Sequence, residues 1–130
     1  MAGVSAFLSK AYLDWCPGGA AVTQPACWAG LSTGAPTSVS ASEMGSRTSW
    51  SRVSALFGAA ASPTQSVSNA GVLFFGPFSS PGIASGLVLF DGPAVNSSNM
   101  LWYGSLQTPV SFMADDGLRM NPGALVITLS

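Results

Sequence analysis

The sequence predicts an all-β fold: an antiparallel β-sandwich of Greek-key or jelly-roll type, preceded by one short α-helix, in a single domain over residues 1–130. Three observations carry this reading. Apolar residues recur at helical spacing only near the start, and from Cys27 onward they alternate at period two. Gly and Pro then punctuate the chain, leaving short segments about 8–15 residues apart, the pattern of a sandwich or barrel. Charge is scarce, with four basic residues, five acidic residues and no histidine.

The helix is predicted from about residue 4 to residue 15. Val4, Phe7, Leu8, Ala11, Tyr12 and Trp15 form one apolar stripe, which Pro17-Gly18-Gly19 terminates. A lone helix of this length is marginal in water, so the stripe is expected to dock on the sandwich or on a partner. Cys27, Ala29 and Leu31 begin the strands, and Gly34-Ala35-Pro36 closes that run. The hydroxyl-rich stretch "STGAPTSVSASEMGSR" from Ser32 to Arg47 reads as a long loop with a short helical turn near Glu43. Val53, Ala55 and Phe57 alternate in the next strand. "GVLFFG" is a continuous apolar run, as in a strand covered on both faces. "IASGLVLFD" from Ile83 and "NMLWYGSL" from Asn99 follow, the second bounded by Pro109. A weak strand is expected from Leu118 to Met120. After the turn signal Asn121-Pro122-Gly123, Leu125, Ile127 and Leu129 share one face of a closing core strand.

The charged residues make up 7% of the chain, against about 25% in an ordinary soluble domain. None occurs from Val53 to Phe90, and 21 Ser and 7 Thr supply most of the polar surface. So little charge is a solubility hazard for a free monomer and less of one inside an assembly. A net charge of −1 argues against nucleic-acid binding, which needs a basic patch to neutralise phosphates. Gly, Pro, Ser and Asn interrupt every apolar stretch short of the ~20 residues of a spanning helix, so no membrane partner is expected. The start has no basic segment ahead of an apolar run, and no secretory signal is expected. Ten residues separate Cys16 from Cys27; that spacing permits a disulfide, although two buried thiols are the expected state.

Catalysis finds little support. Without histidine there is no Ser-His-Asp or Cys-His arrangement and no ordinary general base near neutral pH. Two cysteines cannot complete a thiolate zinc site, and no metal or other cofactor is expected. Asp115-Asp116 read as a turn before Gly117, and calcium there is only weakly signalled. Asp91-Gly92 reads the same way. "GVLFFGPF" lacks the basic residue and helix start of a phosphate loop. The tryptophans weigh more. Trp15 belongs to the helix stripe, Trp28 points away from the Cys27/Leu31 face, Trp50 follows a polar loop, and Trp102 alternates with Leu101 and Tyr103. Aromatics and Arg dominate interface energetics, and Trp28, Trp50 and Arg52 are the candidate interface anchors.

Taken in order, "WAGLSTGAPTS", "SRVSALF", "SNAGVLFFGPF", "SGLVLFD", "NMLWYGSL" and "DDGLRMNPGALVITL" resemble a family of small virion proteins of tailed bacteriophages. The most specific pieces are the Asn-x-Leu-x-Tyr-Gly-x-Leu pattern and the closing Pro-Gly-x-Leu-x-Ile-x-Leu. Asp115-Asp116-Gly117 departs from the family's usual Gly-Asp turn. Members are described both as head decoration (cement) proteins and as tail-fibre-like proteins. The resemblance implies a non-enzymatic β-sandwich component of the virion, made in the host cytoplasm. The leading expectation is a capsid decoration protein that self-associates on the head and joins major capsid protein subunits, stabilising the expanded shell by differential affinity. A tail-fibre component is the alternative. A carbohydrate-binding sandwich, with aromatics stacked on sugar rings, is a more distant one.

Overall fold

The computed structural model describes residues 3–15, 26–41, 43, 52–59, 66–93 and 98–128. In chain order the elements are β1 (Gly3–Val4), α1 (Ala6–Trp15), β2 (Cys27–Ser32), β3 (Val53–Ala55), β4 (Ser66–Ser68), β5 (Leu73–Phe75), β6 (Gly82–Phe90), β7 (Met100–Phe112), β8 (Leu118–Met120) and β9 (Val126–Thr128). Every strand pairing is antiparallel. A five-stranded sheet in the order β1-β7-β6-β2-β3 forms one layer, and the two-stranded pairs β4-β9 and β5-β8 form the other. The predicted mostly-β, sandwich-like fold with a short N-terminal helix is what the chain adopts.

The core lies between these layers. Ala29 and Leu31 of β2, Ala55 of β3, and Leu87 and Leu89 of β6 face Leu73 and Phe75 of β5, with Phe78 and Phe112 stacked at 3.9 Å between ring centroids. Period-two alternation puts each strand's apolar set on this side. β6 is also buried on its second face, through Val88 and Phe90. That makes it the central strand.

Several elements differ from expectation. Val4 lies in β1, opposite Trp102 of β7, and the helix begins at Ala6. Ser5 sets that start: its Oγ accepts a hydrogen bond from the Leu8 amide at 3.1 Å and donates to the Met100 carbonyl. This is an N-cap that also ties the helix to β7. The stripe is only partly covered, because Phe7 is 45% and Tyr12 54% exposed while Leu8 and Ala11 are half-buried. Glu43 forms no helical turn; it sits extended, in a bridge to Ser32. β5 is not covered on both faces, since Leu73 and Phe75 are buried and Phe74 between them is exposed.

β7 runs through Pro109 instead of stopping there. Gly86 faces Ser105, yet Ala84 faces Val110, so residues 106–109 bulge opposite Ser85. Proline has no N–H for the ladder, and a bulge is where a strand tolerates it. β4, a Ser-Val-Ser strand with almost no sequence signal, was not expected; its partner is β9. Leu125 and Ile127 do face the core, but β9 belongs to the two-stranded pair and is not a central strand; Leu129 lies outside the described residues. The Asn121-Pro122-Gly123 turn before β9 is present. Gly123 has φ +83°, a conformation that suits glycine. The buried Asn69 holds this turn, donating from Nδ2 to the carbonyls of Gly71 (2.7 Å) and Asn121 (3.0 Å) and accepting from the Leu125 amide at 2.9 Å.

Candidate functional site

Two of the three candidate anchors, Arg52 and Trp28, lie among the described residues, and both lie beside Phe90. Arg52 stands immediately before β3 and is only 4% exposed. Its Nε and Nη2 donate to the two carboxylate oxygens of Glu43 at 2.8 and 2.7 Å, and Nη1 donates to the Gly92 carbonyl at 3.1 Å. The guanidinium carbon lies 3.4 Å from the ring centre of Phe90. Gly30 makes room for the carboxylate, since a Cβ there would sit 2.9 Å from Glu43 Oε1. Arg52, a candidate interface anchor, is buried in the protomer, where bidentate pairing and cation–π stacking occupy its guanidinium. Its work is to clip the long loop after β2 onto the second face of the large sheet.

Trp28 lies directly opposite Phe90 in the β2-β6 register. It therefore shares the Phe90 face, away from Ala29 and Leu31, as its position in the alternation predicts. Its side chain is half-buried, which leaves part of the indole accessible. Trp50 lies outside the described residues. Trp102, by contrast, packs against the main core.

Trp102 also lines a feature that the sequence did not disclose, a cleft of about 430 Å³ between the β7 edge and β9. Leu87, Leu89 and Leu106 line one wall, and Met120, Leu125 and Ile127 the other. Tyr103, Ser105 and Gln107 bring polar groups to it, and no lining residue is charged. Among the described residues, β7 and β9 are not ladder partners of each other. The cleft can take neutral apolar groups by burial, supplemented by hydroxyl and amide hydrogen bonds. Among the described residues, its lining has no Asp, Glu, Lys or Arg.

The Asp91 and Asp116 carboxylates serve turns, as predicted. Asp91 accepts from the backbone amide of Asn99 at 2.6 Å and from its side-chain amide at 2.9 Å. Asp116 accepts from the Met113 amide at 2.8 Å, while Asp115 takes the left-handed conformation at φ +69°. Burial pushes the Cys27 thiol above its ordinary range, the opposite of what a reactive thiolate needs. Cys16 lies outside the described residues.

Comparison with known proteins completes this picture. The family described as "Podophage GP4 fiber I protein gp80" matches residues 3–128. No curated protein matches the chain. With nearly its whole length covered, the chain belongs to that phage fibre-type family, and it is a structural protein of the virion.

Proposed function

We propose that this member of the family is a fibre-type component of the phage tail, acting by adhesion to neighbouring virion proteins, with no catalytic step and no cofactor. The observation that carries the reading is the fibre-type family match across residues 3–128. The chemistry of the surface agrees with it. Charge is nearly absent, apolar side chains such as Leu13 and Met113 stand exposed, and the cleft beside Trp102 is neutral. Such surfaces hold partners by apolar burial and hydroxyl hydrogen bonds, and salt does little to them.

A head decoration protein bound to the major capsid protein is the second reading. It is favoured by the scarcity of charge, which suits a subunit surrounded by others. Copy number separates the two. Quantitative protein mass analysis of purified virions, combined with immunogold labelling, should find the chain at one end of the particle in a small multiple of the tail's rotational symmetry. Gold over the whole head, at copy numbers that follow the capsid lattice, would overturn the tail assignment in favour of decoration. Binding that collapses as salt rises would overturn the apolar mode of attachment in either setting.

A further inference from the structure

Among the described residues, nearly every charged side chain is accounted for within the protomer. Lys10 pairs with Asp14 and Arg52 with Glu43, while the Asp91 and Asp116 carboxylates accept turn hydrogen bonds. Two charges of opposite sign remain without such a contact, Asp115 and Arg119, both exposed. Both lie on the segment that packs beside Phe74. Arg119 lies directly opposite Phe74 in the β5-β8 register. The Phe74 ring also lies over Gly117, two residues after Asp115, since a Cβ on Gly117 would sit 2.5 Å from Phe74 Cζ. Phe74 is 50% exposed, and Val72, two residues before it, is 43% exposed. The turn itself is held in place: the Asp115 amide donates to the Phe78 carbonyl at 2.7 Å, and the Phe78 amide donates to the Asp116 carbonyl at 2.9 Å.

We propose that this outer face of the β5-β8 pair is a two-fold contact between two copies of the chain. Phe74 lies near the axis, and Arg119 of each copy meets Asp115 of the other. Charge complementarity identifies the occupant. A face that carries an aromatic with one acid and one base beside it is complementary to itself, because a two-fold axis between the charges brings each acid opposite a base. Aromatic and Arg side chains are the groups that anchor such contacts. The firmly held turn presents its acid with little ordering left to do on association. The inference stands whether the protein sits on the tail or on the head.

Sedimentation equilibrium of the full chain over a concentration series tests it. The wild type should form dimers. Phe74→Ser should weaken them about thirtyfold or more. Arg119→Asp places like charges in contact and should also weaken them. Adding Asp115→Asn, which tolerates the positive φ, should recover most of that second loss. All three side chains are exposed, and unchanged circular dichroism and melting show that the variants fold. A wild type monomeric up to about 1 mM would overturn the proposal and assign the patch to another protein. So would dimers that survive both Phe74→Ser and Arg119→Asp, or an Asp115→Asn addition that recovers nothing.

Discussion

Arg52→Ala removes a cation whose pairing, stacking and carbonyl contact are all internal. The side chains of Arg52 and Glu43 are 1% and 11% exposed, so solvent cannot take over the carboxylate left behind. Breaking such a buried pair from one side costs about 3–5 kcal/mol. That is a large share of the ~5–15 kcal/mol by which domains are stable. For a chain of this size it lowers Tm by roughly 10–20 °C. Replacing both partners, as in Arg52→Met with Glu43→Leu, removes both charges and should recover most of the loss, because a well-packed apolar pair is often as stable as the ion pair. Urea denaturation followed by tryptophan fluorescence gives the stabilities of the wild type, the single variant and the double variant. A single Arg52→Ala variant that loses less than about 1 kcal/mol would refute the reasoning, showing that the pair does not hold the loop to the sheet.

Three further outcomes follow from burial. Phe75→Ala, at 0% exposure, should cost about 3–5 kcal/mol, whereas the half-exposed Phe7→Ala should cost less than about 1 kcal/mol; equal costs in urea melts would contradict the packing described. Asn69→Ala strips the Leu125 amide and the Gly71 and Asn121 carbonyls of a partner and should destabilise by about 2–4 kcal/mol; hydrogen exchange at Leu125 should accelerate with it. Burial raises the Cys27 thiol in the folded state, so its contribution is intact below about pH 8.5, where the unfolded thiol ionises, and is lost as pH rises through the folded value. Stability that falls in that window for the wild type but not for Cys27→Ala is the expected result, and parallel curves would count against it.

How much of this was readable beforehand depends on how local the deciding interactions are. Alternation marked β2, β3 and β9 as strands, because side-chain period is a property of a few consecutive residues. The turns at Asp115-Asp116-Gly117 and Asn121-Pro122-Gly123 were equally legible, since Asp, Asn and Gly tolerate the left-handed backbone. Alternation defines two faces, however, and does not say what covers each. Phe74 looked buried within an unbroken apolar run, yet in the assembled sandwich only the Leu73/Phe75 face of β5 meets the core. The burial of Arg52 was not legible, because its partners, Glu43, Phe90 and Gly92, come from distant parts of the chain. Strand pairing across long separations also made the cleft beside Trp102 and the Phe74–Arg119 neighbourhood. Neither can be read from sequence, because each is a contact between segments that meet only when the two layers close.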